Sequence, residues 1–323
     1  MTPDQKTPRP PTQLGHHTLL EQVGHGLRGT AYRARDTALG RTVLVRDVHD
    51  LVGRDSAARD ALLTQARAAT AVSHPNVATL FEVGEALGEC FLVYEFVAGD
   101  TLDEAQGGEP LGIKEAVDLG VQIAEALAAV HAAGLLHLDV RPDTIKFSRL
   151  GQGKLLGLGL GARARVGEPD SGGSAGATAP DAGLARYWPP EQRANETLDA
   201  RSDLFSLGKV LHEMLTGKPP VDDADASPSK PSAINPEVPA ELDAIVERAT
   251  RRRPTDRYQS AAPLAAELRS FAAMLEVRNG DREPPSHRGT AARRPASTSR
   301  REASLVVVAV AVLGLAAWLW LAP

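Results

Sequence analysis

The chain has 323 residues, an apolar share of 42% and a formal net charge of −5. That length fits one large domain or two lobes with tails, and the apolar share can fill a sizeable core. The mild acidity excludes a general attraction to nucleic acid, and the single cysteine, Cys90, excludes an internal disulfide and fits a reducing compartment.

Residues 1–16 are polar and proline-rich, carry no secretory signal and read as a disordered arm. Residues 17–97 read as a small, strand-rich lobe. Its first hairpin holds Gly24, Gly26 and Gly29 in the spacing G-x-G-x-x-G, which lets a backbone fold closely over phosphates with its amides inward. The spacing alone is weak evidence, and a plain hairpin turn explains it equally well. A dinucleotide-binding reading requires a helix straight after the glycines, and TAYRARD does not look like one. RTVLVRDV follows as a strand, and Asp55–Ser73 carries a helical pattern that ends in SHPNV. CFLVYEFVAGDTL reads as a core strand leading to a turn, with Cys90 packed beside Phe91 and Leu92.

Residues 98–276 read as a larger, helical lobe. Gly112–Ala132 places Val117, Val121, Ala124, Leu127 and Val130 at helical spacing. The stretch GLLHLDVRPDTIKFSRLGQGKLLGLGLG, residues 134–161, then reads as loop, short strand, turn, second strand and a glycine pair. Residues 166–182 are rich in Gly, Ala, Ser, Pro and Asp and read as a mobile segment. Three helical runs close the lobe, over 201–217, 240–250 and 259–276. Residues 277–303, rich in Arg, Pro and Ser, read as a disordered linker. Residues 304–321 hold an uncharged apolar run ending in Trp318 and Trp320. Its 17-residue core, from Leu305 to Leu321, spans about 25 Å as a helix, short but enough for a bilayer core. Arg293, Arg294, Arg300 and Arg301 precede it, so the positive-inside rule keeps them cytoplasmic and ends the chain just across the membrane. The same arginines suit contact with anionic lipid.

Several of these phrases, in this order, carry a resemblance. HLDVRPDTIKF resembles the catalytic loop HRDLKPxN of the eukaryotic-like protein kinases, and KLLGLGLG resembles that family's strand and DFG turn. RTVLVRDV is similar to the strand written VAIK, SHPNV and YWPPEQ are family landmarks, and RSDLFSLGKVLHEMLTG is similar to the DxWSxG helix. The alanine, glycine and arginine richness and the phrases PDxIKF and YWPPEQ suggest a bacterial member. The resemblance covers about residues 17–276 and implies an α+β fold of two lobes, a β-rich N-lobe and a helical C-lobe, with a transmembrane helix appended.

Position by position, the resemblance implies a frame kept and a site altered. Gly24, Gly26 and Gly29 would cover the nucleotide, and Glu95, Phe96 and Val97 would form the hinge beside adenine, with Tyr94 as a bulky gatekeeper. Arg46 stands where the family has a phosphate-binding lysine, and the exchange is not conservative. Gln65 stands where the lysine's glutamate partner belongs and brings no charge. Leu44 enlarges one pocket wall, while Ala31 shrinks the roof. Asp139 remains at the catalytic-base position. Arg141 replaces the loop lysine, Leu138 the HRD arginine, and Leu184 a threonine that bonds the base. Asp143 belongs to the ordinary loop pattern and should point away. Asp203 should cap its own helix and hold the catalytic loop, and Glu191 should pair with Arg257.

The metal positions are occupied by Thr144 and Gly157, in place of asparagine and aspartate. Mg²⁺ requires oxygen ligands, commonly carboxylates, and no acidic residue lies from Lys154 to Arg165. Losing one charge-stabilising group costs about 3 kcal/mol of barrier, and losses within one network do not add. The expectation is a pseudokinase with weak ATP binding and doubtful Mg²⁺ binding. It would be tethered by a single pass to the inner face of the plasma membrane, with its domain in the cytoplasm. Its partners would be the bilayer and a protein, including an active kinase, and no nucleic acid. The alternative is an active serine/threonine kinase with an atypical metal site, supported by Arg46 and Asp139.

Overall fold

The computed structural model describes residues 13–26, 29–48, 56–86, 89–147, 151–160, 185–221 and 229–280. The expected mobile segment at 166–182, the linker from residue 281 onward, the apolar span at 304–321 and Leu184 lie outside the described residues.

The N-lobe is a six-stranded antiparallel sheet with one helix. Its strands are β1 (Gln13–Leu14), β2 (His17–Gly26), β3 (Gly29–Asp36), β4 (Arg41–Asp47), β5 (Leu80–Ala86) and β6 (Glu89–Glu95), in the order β1-β2-β3-β4-β6-β5. Alternation sorts the side chains of β6 between two faces. Phe91 and Val93 join Leu14, Ala34, Val43 and Val45 in a small outer cluster, while Leu92 and Tyr94 enter the main core. Helix α1 (Ser56–Ala69) adds Leu62, Ala66 and Ala69 to that core, spaced so that they share one helical face. Residues 1–16 are therefore not wholly a free arm. Gln13 and Leu14 pair with Thr18 and His17, and Leu14 is 1% exposed, because the outer cluster gives its side chain somewhere to go.

The C-lobe is helical: α2 (Leu102–Gln106), α3 (Ile113–Ala132), α4 (Pro190–Arg193), α5 (Ala200–Thr216), α6 (Pro231–Ile234), α7 (Ala240–Ala249) and α8 (Ala261–Gly280). Helix α8 runs four residues past the expected linker boundary. Helix α5 is buried from Ser202 to Thr216 and forms the lobe's central rod, packed against α3 and α7. Asp199, not Asp203, caps it: the Asp199 carboxylate accepts the Arg201 N–H. A second sheet, β7 (Asp100–Thr101), β8 (Ile145–Phe147) and β9 (Gly153–Leu155), carries the loop between α3 and β8. Asn76 of the SHPNV phrase locks β9 in place, its side-chain amide donating to the Gly153 carbonyl at 2.8 Å and its own carbonyl accepting the Leu155 N–H at 2.8 Å. Among the described residues no helix is long and apolar enough to cross a membrane.

Candidate functional site

The loop from His137 to Thr144 is held from below by Asp203, which is fully buried. Its Oδ2 accepts the His137 N–H at 2.9 Å, its Oδ1 accepts the Leu138 N–H at 2.6 Å, and His131 Nε2 lies 2.8 Å from Oδ2. These bonds fix Leu138 at φ 59, a conformation that costs a non-glycine residue on the order of 1–3 kcal/mol. The His137 ring bonds the Leu156 carbonyl at 3.0 Å, and the Leu156 N–H donates to the Thr144 carbonyl at 2.8 Å. The loop and the glycine turn after β9 are thereby brought together, with Thr144 and Gly157 on adjoining segments.

The loop's charges are turned on one another. The Arg141 guanidinium is 9% exposed, with Nε 2.8 Å from Asp139 Oδ1 and Nη1 3.0 Å from Asp143 Oδ2. Asp143 therefore closes on Arg141 instead of pointing away; an arginine fork can reach both carboxylates where a lysine offers only a point charge. Thr144 is fully buried and its hydroxyl is engaged: it accepts the Arg141 N–H at 3.0 Å and lies 2.9 Å from the Asp139 carbonyl and 2.8 Å from the Arg141 carbonyl. Gly157 has φ +84, and among the described residues a Cβ built there would meet only Leu160 Cδ1, at 3.7 Å. At these positions two carboxylates are held by a guanidinium, the Thr144 hydroxyl is bonded internally, and Gly157 brings no side-chain oxygen, the ligand type that a hard cation takes.

On the N-lobe side, Gly26 pairs with Gly29, and Gly24 with Ala31. Gly29 is fixed by packing as well as by any ligand. It has φ +82, and a Cβ there would lie 1.9 Å from the Asp47 carbonyl oxygen. Arg46 lies on β4 opposite Ala31 and Leu92. Gln65 is half-buried on α1, between Leu62 and Ala69 of the core face. At the hinge the Glu95 N–H donates to the Thr79 carbonyl at 2.8 Å, and Val97 follows half-buried. Two struts there carried no sequence signal: Lys154 Nζ lies 2.7 Å from both Glu95 oxygens, and the Tyr94 hydroxyl donates to the Leu158 carbonyl at 2.8 Å. Each joins residues about sixty positions apart, beyond the reach of any local pattern.

Glu191 and Arg257 form a buried bidentate pair at 2.6 and 2.8 Å, and Ser202 Oγ donates to Glu191 at 2.9 Å. Nearby, the Tyr187 hydroxyl donates to Glu213 Oε2 at 2.5 Å. Burial is the main cause that pushes the Glu213 carboxyl above its ordinary range; the tyrosine bond opposes it, and Asp103 adds to it. The folded state then holds this proton more tightly than the unfolded state does. Stability should fall as pH rises from the ordinary carboxylate value to the raised one, and level off above it. Urea midpoints measured across that window should slope downward in the wild type and lose that component in Glu213→Gln.

Comparison with known proteins agrees with this architecture. Residues 17–282 match the protein kinase domain family. A probable serine/threonine-protein kinase of Streptomyces coelicolor is 34% identical over 269 residues, covering 79% of this chain and 39% of the relative. The serine/threonine-protein kinase PknB of Mycobacterium tuberculosis is 35% identical over 284 residues, covering 83% of this chain and 44% of the relative. The chain thus spans about two fifths of the length of these curated relatives. The crystal structure of the Mycobacterium tuberculosis PknI kinase domain superposes with a TM-score of 0.66 at 23% identity, over 80% of this chain and 96% of that one, which speaks to the fold alone.

Proposed function

We propose that this chain, which belongs to the protein kinase domain family, is a membrane-anchored signalling protein whose domain serves as a scaffold or allosteric regulator and has lost metal-dependent phosphotransfer. The observation that carries the reading is Arg141 between Asp139 and Asp143, at 2.8 and 3.0 Å. A guanidinium bonded to the base position competes with a substrate hydroxyl for the same oxygen. Thr144 and Gly157 supply nothing to replace the metal ligands. The nucleotide pocket is then a place where ATP binds weakly, without magnesium, and biases the domain toward or away from a protein partner. The anchor is the apolar run at 304–321, which places the domain on the cytoplasmic face of the plasma membrane.

The second reading, an active serine/threonine kinase with an atypical metal site, is favoured by the retained Asp139, whose side chain is 21% exposed, and by the kinase names of the relatives. One experiment separates the two. The melting temperature is followed with ATP in the presence and absence of Mg²⁺, and transfer of radioactive phosphate from ATP is then measured. A regulator gives a shift indifferent to Mg²⁺, or no shift, and no labelling. Magnesium-dependent binding, with labelling abolished by Asp139→Asn, would establish the enzyme and end the first reading.

A further inference from the structure

A second cluster of ligating groups lies in the N-lobe, on residues outside the nucleotide and catalytic loops. His16 and His17 sit at the turn between β1 and β2, Asp36 ends β3, and Glu82 projects from β5. One ligand atom from each of His16, His17 and Asp36 falls within 4.8 Å of the other two. His16 Nε2 is 3.6 Å from Asp36 Oδ1 and 3.8 Å from Glu82 Oε2, and His17 Nε2 is 3.9 Å from the same glutamate oxygen. We propose that His16, His17, Asp36 and Glu82 form a binding site for a zinc-like divalent transition metal that clips the two outer edges of the N-lobe sheet together.

The spacing suits a small tetrahedral ion. Bonds of about 2.0–2.1 Å place ligand atoms roughly 3.3–3.4 Å apart, so the His16–Asp36, His16–Glu82 and His17–Glu82 pairs need to draw in by a few tenths of an ångström, and Glu82, which stands outside the mutually close trio of His16, His17 and Asp36, has to swing toward Asp36. The exposed His16 and the half-buried Glu82 have room for that adjustment. The other two are already oriented by a second layer of bonds. The buried His17 ring places Nδ1 3.3 Å from the Leu14 carbonyl; donating there directs the Nε2 lone pair toward the cluster. Asp36 Oδ1 accepts the N–H groups of Ala38 and Leu39 at 3.0 and 2.9 Å. A ligating histidine that donates its other N–H to a backbone carbonyl, beside a carboxylate that is itself hydrogen-bonded, is the arrangement metal sites use to fix tautomer and direction. The main chain of His16 is also pinned, its carbonyl accepting the Thr37 hydroxyl at 2.6 Å and the Thr37 N–H at 3.1 Å.

The chemistry favours zinc, or cobalt in its place, over magnesium or calcium. The two imidazole nitrogens are borderline ligands that suit zinc, which also accepts carboxylate oxygen, whereas the hard ions want oxygen alone. Arg41, with Nε 3.3 Å from Asp36 Oδ2, sits over Phe81 of β5 and leaves Oδ1 as the oxygen facing His16. The mechanical consequence follows from strand order. β5 is the last strand of the sheet, and the β1–β2 turn lies at its other edge, so an ion shared by His16, His17 and Glu82 ties that turn to β5. The clip would stiffen the lobe that carries the glycine hairpin.

The test uses the full chain in detergent, without a histidine tag, stripped by a chelator and titrated with Zn²⁺. One equivalent should bind, the melting temperature should rise, and Co²⁺ should give the intense visible bands of a tetrahedral site. His16→Ala and Glu82→Gln, neither at a buried position, should each weaken zinc binding about tenfold or more. Their metal-free melting temperatures should stay close to the wild-type value. Absence of a wild-type shift, or an affinity unchanged in both variants, would overturn the proposal and leave an adventitious surface association only.

Discussion

Gly157→Asp combined with Thr144→Asn should give the protein magnesium-dependent ATP binding, which under the regulator proposal the wild type lacks. The frame around both positions is in place. Among the described residues a Cβ at Gly157 would find only Leu160 Cδ1 within 4 Å, and aspartate is among the few residues that tolerate a positive φ. At position 144 the present hydroxyl accepts the Arg141 N–H and bonds loop carbonyls. An asparagine amide offers both a donor and an acceptor, so it can keep the turn closed and turn one oxygen outward. A divalent cation held there would also draw Asp139 and Asp143 away from Arg141. At a ligand concentration of about one hundred times Kd, binding stabilises by about 2.7 kcal/mol. For a domain of this size that is a rise of roughly 5–10 °C in melting temperature. The rise should appear with Mg²⁺ and ATP together, in the double variant and not in the wild type. A folded double variant indifferent to Mg²⁺ would move the deficit to Arg46 and Gln65. A wild type that already responds to Mg²⁺ would sink the regulator reading outright.

What the sequence disclosed here was whatever repeats a local period or a fixed residue order. Helix α3 has an apolar face long enough to show its period, and each of α1, α3, α5, α7 and α8 lies within a few residues of its expected span. Glu191, Asp203 and Arg257 were findable because their neighbours form phrases with a fixed order. The rest depends on tertiary placement. β1 has two residues, too few for any alternation to register, and α4 and α6 have four each. Asp199 and Asp203 are both good capping residues four positions apart; only the path of the chain decides which meets the helix end and which meets the loop. Arg141 illustrates the limit best. Its type and position were plain, but its two partners were set by an extended backbone at φ −162 and a guanidinium wide enough to span them. A substitution table records the exchange of one cation for another, while the geometry makes it a change in what the base position touches.

Arg257→Ala should produce the largest single loss of stability among the sites described. All five guanidinium N–H donors are used: two go to the Glu191 carboxylate, and the others to the carbonyls of Arg251, Arg201 and Arg252 at 2.7, 3.1 and 2.9 Å. The plane also lies 4.7 Å from the Phe205 ring centroid. Truncation leaves the Glu191 carboxylate, on a residue 4% exposed, without its counter-charge, and three carbonyls without that donor. Breaking a buried pair from one side costs about 3–5 kcal/mol, or roughly 6–20 °C in melting temperature for a domain of this size. Arg257→Lys should fall between, since an ammonium keeps the charge but cannot reach five acceptors at once. The decisive comparison is Glu191→Ala with Arg257→Ala. If most of the loss is an orphaned charge, the double variant should be clearly more stable than the sum of the single effects predicts, with a coupling of about 1–3 kcal/mol. Strict additivity would mean that the carbonyl bonds and the Phe205 contact hold this corner, with the carboxylate incidental. Either way Mg²⁺ should change nothing in these variants, because the pair belongs to the frame that presents the loop and not to the loop's own chemistry.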